Sequence, residues 1–229
     1  MTRTNAVVNV WKHAEATPDR VALREEDRAW TYAELRAGIS RAADTLREKG
    51  VSRDDRVLLV LPTSAEFVMV YHGLLALGAT PVTVNTLSAP PELEYFLDDA
   101  GCILAVGWTE TAGPVSAAAR AAAVPLWLVE PGYADSVAED AERARVVSPE
   151  QVDPSHAAVL LYTSGTTGRP KGAVLTHENL LVTGVMFEQA LQLGPEDRMG
   201  TALPLFPVFG QAAVMASMFT AGASLSLLR

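Results

Sequence analysis

An α/β fold of parallel, doubly wound sheets with flanking helices is predicted by two observations on the sequence. Short apolar runs alternate with helical patterns from residue 56 onwards, and the helical patterns close on glycines or turns before the next run begins. Composition agrees: at 229 residues, 49% hydrophobic and 20% charged, the chain can bury a sizeable core and sits near the average for folded domains.

The elements follow in order. Val7, Val8, Val10, Trp11 and Ala14 recur at helical spacing until Thr17, Pro18 and Asp19 stop the pattern. Residues 21–24 and 29–32 read as short strands around a polar turn, after which Thr31 caps a helix with Glu34 three residues later and Gly50 ends it. Residues 56–61 form a continuous apolar strand, 64–77 a helix closed by Gly78, and 79–84 the next strand. Residues 91–100 are helical with Pro91 in the first turn, 102–106 a strand, 115–123 a helix and 126–129 a strand. Right-handed crossovers close such units most economically into one layered sheet. Residues 130–154 turn acidic, with Asp135, Glu139, Asp140, Glu142, Glu150 and Asp153, and are expected to be a surface connector without a binding role. A buried strand at 157–162, a glycine-rich loop at 163–172, a strand at 173–176 and a helix opening near His177 follow. This organisation predicts two α/β subdomains, residues 1–155 and 156–229, the second carrying the loop.

Several function classes are disfavoured. A formal charge of −9 argues against a nucleic-acid partner, because backbone phosphates are bound by clustered Lys and Arg. Cys102, the single cysteine, lies in an apolar run and is expected to be a buried, inert thiol. The first residues lack the apolar core and cleavage site of a signal peptide, which makes the cytoplasm the expected location. Residues 199–228 carry no charged side chain and are long enough to span a bilayer. Pro204, Pro207, Gly210, Gln211, Ser217, Thr220, Gly222, Ser224 and Ser226 break them into pieces, so no membrane span is expected.

The loop carries the chemistry. Thr163, Ser164, Gly165, Thr166, Thr167, Gly168, Arg169, Pro170, Lys171 and Gly172 directly follow an apolar strand. Glycines admit positive φ and bring backbone N–H groups close to an anion, the hydroxyls add donors, and Lys171 adds a mobile positive charge. Pro170 stiffens the exit. A Gly/Ser/Thr cluster is otherwise a plain turn. The spacing of Gly165, Gly168 and Lys171 by threes, with no hydroxyl after the lysine, excludes the Walker A pattern.

In its order, residues 160–181, LLYTSGTTGRPKGAVLTHENLL, resemble the signature of the adenylate-forming superfamily, with acyl-CoA synthetases its nearest branch. PDRVALREEDRAWTYAEL, GVSRDDRVLLVLPTSAEFV and GATPVTVNTLSAPPELEYFLDDAG resemble successive N-terminal segments of that family, so the resemblance covers essentially the whole chain. It implies activation of a carboxylic acid by ATP to an acyl-adenylate, release of pyrophosphate, and capture of the acyl group by the thiol of CoA or of a carrier protein. Thr163, Ser164, Gly165, Thr166, Thr167, Gly168 and Lys171 would contact the phosphates, with Lys171 and Thr166 supporting pyrophosphate departure. His177, Glu178 and Asn179 match the segment that opens the next helix, where Thr176 or His177 is a cap or packing residue before it is a catalyst. Residues 203–211, LPLFPVFGQ, resemble a motif that helps to form the acyl pocket. It implies Phe206, Phe209 and Gly210 as pocket residues, with core packing as the alternative, and Pro207 stands where the family commonly has His.

The family's adenine-binding segments, its acidic Mg²⁺ residue, ribose-binding Asp, hinge and C-terminal Lys have no match here. Because residues 223–228 read as a strand running up to Arg229, the chain is expected to be the N-terminal half of such a ligase and inactive alone. The alternatives are a short non-catalytic binding module, or one half of a split enzyme completed by a complementary chain.

Overall fold

The computed structural model describes residues 4–138, 145–163 and 168–228. Helix α1 (Val8–Ala16) precedes the antiparallel pair β1 (Val21–Glu25) and β2 (Arg28–Thr31), which leads into α2 (Tyr32–Glu48). The capping box expected at the start of α2 is present: the Glu34 N–H donates to Thr31 Oγ1 at 3.2 Å and the Thr31 N–H to Glu34 Oε2 at 2.7 Å. The chain then alternates through β3 (Arg56–Val60), α3 (Ala65–Ala76), β4 (Thr80–Thr83), α4 (Pro90–Ala100), β5 (Leu104–Trp108), α5 (Ala112–Ala121), β6 (Leu126–Val129) and α6 (Tyr133–Ala138). Strands β7 (Ala157–Thr163) and β8 (Lys171–Thr176) form a hairpin. Helix α7 (His177–Leu191), β9 (Arg198–Thr201), a π-helical segment (Phe209–Met215), α8 (Ala216–Ala221) and β10 (Ser224–Leu227) complete the described chain.

Two sheets result. The six-stranded sheet runs β6-β5-β3-β4-β7-β8, parallel throughout except for the last pair, which the hairpin makes antiparallel. The four-stranded sheet runs β2-β1-β10-β9, with β1, β10 and β9 parallel. Both sheets draw strands from either side of residue 155.

Period-two alternation sends the side chains of β3 to opposite faces. Val57 and Leu59 enter the larger core with α2 and α3, which also receives Leu23, Leu225 and Leu227 from the smaller sheet. Leu58 and Val60 enter a second core beneath α4 and α5, with Val82, Phe96 and Val115. Helices therefore cover both faces of the larger sheet, which is the doubly wound arrangement expected.

Two details depart from expectation. The strand expected at 102–106 begins at Leu104, because the αL residue Gly101 (φ +63°) ends α4 and the Ile103 N–H donates to Arg56 O before the ladder starts. The expected surface connector at 130–154 contains α6 and is tied into the core. Ala134, Val147 and Val152 are buried, the Val147 N–H donates to Ser40 Oγ, and Trp11 Nε1 donates to Val147 O. These buried apolar residues are too far apart in sequence to register as periodicity. Residues 139–144 of that segment lie outside the described residues.

Among the described residues, no helix is long and apolar enough to cross a membrane; residues 199–228 form short elements, as the proline and glycine positions predict.

Candidate phosphate hairpin and acyl cleft

Strand β7 carries the loop out of the carboxyl edge of the larger sheet. Thr163 is its last residue and pairs in register with Lys171, the first residue of β8, with Thr163 Oγ1 donating to Lys171 O at 3.4 Å. Gly168 stands between them at φ +148°, a conformation that favours glycine, and both Gly168 and Lys171 are solvent-exposed. Ser164, Gly165, Thr166 and Thr167 lie outside the described residues.

The hairpin is fastened to α4. Tyr95 Oη donates to Pro170 O at 3.0 Å, Tyr162 Oη donates to Asp99 Oδ2 at 2.6 Å, and the Arg169 guanidinium lies 5.4 Å from the centre of the Tyr95 ring. Tyr162 also packs against Phe96, their ring centres 4.2 Å apart. Burial and the Asp99 carboxylate raise the Tyr162 phenol above its ordinary value and keep it a donor. The stem of the loop is thus held on three sides by β7, β8 and α4.

Beside the stem opens a cleft of about 410 Å³. Leu161, Tyr162 and Thr163 of β7 and Ala173 and Leu175 of β8 form one wall. Thr83 at the end of β4, Val84, Asn85 and Ser88 beyond it, and Glu92 and Phe96 of α4 form another. Phe206, Pro207 and Val208 close it. The lining is chiefly apolar, with Asn85, Ser88, Glu92 and Thr163 supplying polar groups, the composition usual for small-molecule sites. Its position outside the carboxyl ends of β4 and β7 is where open α/β sheets bind ligands.

The sequence-derived candidates are distributed unevenly around this site. Thr163 belongs to both hairpin and cleft, Lys171 sits at the base of the loop, and Phe206 lines the cleft together with Pro207, which presents a ring without donor or acceptor. Phe209 and Gly210 are not among the described lining residues. Phe209 lies half-exposed with its ring edge-on to Phe187 at 6.3 Å, and Gly210 is buried against the backbone of Pro204 and Leu205. The cleft residues Thr83, Asn85, Ser88, Glu92, Phe96 and Tyr162 fall within the family-like segments 78–101 and 160–181, but nothing in those segments singles them out as site residues. The signal available for Thr83 and Asn85 was their place at the carboxyl end of an expected parallel strand.

Other candidates fall into structural roles. His177 opens α7 with a side chain 0% exposed. Its Nδ1 accepts the Ala6 N–H at 2.9 Å, and burial followed by the neighbouring His156 lowers its pKa to about 4. Thr176 caps the same helix reciprocally with Asn179. Burial pushes the Cys102 thiol up to about 12, so it is protonated and unreactive at neutral pH. Among the described residues no group of three or more His, Cys, Asp or Glu side chains is arranged to hold a metal ion.

A family model described as AMP-binding enzyme matches residues 10–229. The chain belongs to the AMP-binding enzyme family. The Mycobacterium tuberculosis (strain H37Rv) protein named long-chain-fatty-acid–CoA ligase FadD13 is 36% identical over 200 residues, covering 86% of this chain and 39% of that protein. Two solved structures superpose closely. The anthranilate CoA ligase AuaEII in complex with anthranoyl-AMP has TM-score 0.89 and 26% identity, covering 100% of this chain and 45% of that one. ATP-bound MatB from Rhodopseudomonas palustris has TM-score 0.83 and 26% identity, covering 98% of this chain and 45% of that one. The chain therefore spans about two-fifths of the length of the relatives it matches, and it corresponds to their N-terminal part.

Proposed function

We propose that this chain supplies the phosphate-holding and acid-holding part of an ATP-dependent acid–thiol ligase, which forms an acyl-adenylate and passes the acyl group to CoA. The observation that carries the proposal is that Thr163 is shared: the loop whose composition suits a polyphosphate grows directly from the wall of an apolar cleft sized for a small acid. A bound acid would thus lie beside the phosphates it must attack, which is the proximity that converts a bimolecular step into an effectively unimolecular one. Thr163, Ser164, Gly165, Thr166, Thr167, Gly168 and Lys171 would hold the nucleotide phosphates. Bound ATP supplies the activated α-phosphorus and pyrophosphate as leaving group. Lys171, held at the base of the loop by pairing with Thr163, offers a positive charge towards developing pyrophosphate, with Thr166 as a hydroxyl donor.

Phe206, Val208 and Leu161 favour a fatty or aromatic acid, in keeping with the substrates named for FadD13 and AuaEII. Phe209 and Gly210 would act one step behind, Gly210 by allowing the backbone of Pro204 and Leu205 to approach. No ligand set for Mg²⁺ is assigned to this chain, and CoA or a carrier thiol would be received with the help of segments beyond the matched part. A cytoplasmic location accords with this chemistry.

The phosphate role is tested by titrating ATP into the protein by calorimetry. Lys171→Ala is expected to weaken binding about ten-fold or more, the value of one charge-assisted hydrogen bond. Equal ATP affinity in the two proteins would remove Lys171 from the site.

A second reading, a half that works with a complementary polypeptide, is favoured by α7. This helix is apolar nearly all round, yet Val182, Val185 and Met186 (62%) are exposed, and Phe209 beside it is 50% exposed. A helix of that pattern is ordinarily covered on both sides. Pyrophosphate exchange with fatty and aromatic acids is expected to be silent with the 229-residue chain alone and to appear when a polypeptide corresponding to the remainder of the relatives is added. Exchange by the chain alone would refute the half-enzyme reading.

A further inference from the structure

Gln211 is 2% exposed in the π-helical segment, and although it closes the 203–211 run, no role has been given to its side chain. Its Nε2 donates to Thr83 Oγ1 at 2.7 Å and to Phe206 O at 2.6 Å, while Thr83 Oγ1 donates to the same Phe206 carbonyl at 2.8 Å. The amide orientation follows from the chemistry. A carbonyl can only accept, so the group facing Phe206 O must be the NH₂. Both amide hydrogens are then used, the threonine hydroxyl both gives and accepts, and Phe206 O receives two donors. Such a closed network fixes geometry more firmly than isolated contacts do, because any member displaced leaves buried partners unmet.

The network joins two separate walls of the cleft. Thr83 ends β4 of the larger sheet, and Phe206 begins the run that continues through Pro207 and Val208; all four residues line the cleft. The amide oxygen Oε1 has no hydrogen-bond partner, and Gln211 also borders a void of about 20 Å³ together with Tyr71 and His72. Gln211 therefore keeps a buried acceptor without a partner while its two donors are committed to the cleft. A leucine or methionine would fill the same space among Tyr71, His72 and Phe219 without that cost.

We propose that Gln211 is a positioning residue of the cleft: by clamping the Phe206 carbonyl to Thr83 it sets the separation of the two walls and hence which acids fit between them. This role rests on the cleft's being the acid site. No bond to a reacting atom is involved.

The test uses the whole 229-residue chain as wild type and as Gln211→Met, which matches the side chain in length and removes both donors. Thr31→Ala serves as a control that destabilises the remote α2 cap by about 1 kcal/mol. Hydrogen exchange is expected to quicken at the amides of Leu205, Phe206 and Val208 and of Asn85 in Gln211→Met, and to stay unchanged there in Thr31→Ala. Unchanged exchange in Gln211→Met would overturn the clamp. Titration with the fluorescent acid 11-(dansylamino)undecanoate then reads the consequence. About five-fold weaker binding in Gln211→Met, with Thr31→Ala like wild type, is expected from losing roughly one net hydrogen bond. In a double-mutant cycle with Thr83→Val the two losses should be markedly less than additive. If both single variants weaken binding equally with Thr31→Ala, Gln211 is only structural and the proposal fails. If wild type does not bind the probe while the exchange result stands, the acid reading of the cleft fails, and the specificity role falls with it.

Discussion

Gly210→Ala is expected to cost about 2–3 kcal/mol of stability, near the upper end for overpacking, and to lower the thermal midpoint by roughly 5–10 °C. Gly210 lies in the π-helical segment, where alanine would by propensity be the better residue. The added methyl group, however, would stand 2.6 Å from Pro204 O and 2.7 Å from Leu205 Cα. These are backbone atoms, so no side chain can rotate away, and the segment leading to Phe206 must move instead. Leu205 is itself held, its N–H donating to Thr63 Oγ1 at 3.1 Å, and Phe206 O is held by Gln211 and Thr83. Relief of the clash therefore breaks hydrogen bonds that shape the cleft. Gly113→Ala is the matched contrast. It lies in α5, and its new methyl group would meet nothing within 4 Å. That substitution is expected to stabilise by about 0.5 kcal/mol through the usual helix preference. Chemical denaturation of the two variants decides the matter: a Gly210→Ala protein as stable as wild type would mean that the close approach is not a constraint.

The legibility of this molecule in its sequence divides along the distance over which signals act. The run RVLLV and the capping pair Thr31 and Glu34 are local, and both emerge where periodicity and capping rules place them. The hairpin from Thr163 to Lys171 is also local, and its glycines and flanking strands could be read together. The cleft could not, because Thr83 and Gln211 are 128 positions apart and Tyr95 and Pro170 are 75 apart. No pattern short of the folded sheet order relates them. Phe209 shows the converse limit. A motif puts it beside Phe206, but the bend at residues 205–207 and the start of the π-helical segment at Phe209 part the two rings, so that Phe206 lines the cleft while Phe209 packs edge-on to Phe187. The 130–154 segment was opaque for yet another reason: its buried anchors Ala134, Val147 and Val152 are too widely spaced to set up a helical or strand period, so each is fixed by a partner elsewhere rather than by a local pattern.

Acid is expected to unfold the protein through two buried histidines, over a window set by their lowered pKa values. His72 and His177 are buried, and burial brings each to about 4 from an ordinary value of 6.5. Folding therefore requires both rings to be neutral, whereas the unfolded chain takes up a proton on each as pH falls through 6.5. The unfolded state binds more protons in this interval, so stability rises with pH, is fully present above about 6.5 and declines towards about 4. The limiting loss is on the order of 3 kcal/mol per histidine. At His177 the geometry explains why the proton is resisted. Its Nδ1 accepts the Ala6 N–H, an acceptor role an imidazolium cannot play, and that bond helps to anchor the segment before α1 together with Asn5 Nδ2 donating to Leu75 O. His177→Asn keeps an acceptor oxygen near the Nδ1 position and cannot be protonated in this range. Urea midpoints measured from pH 7 to 4.5 should accordingly fall less steeply in His177→Asn than in wild type, even if the variant starts lower because the smaller side chain leaves a void. Parallel slopes for the two proteins would show that the acid sensitivity resides elsewhere, with His72 the remaining buried imidazole to replace.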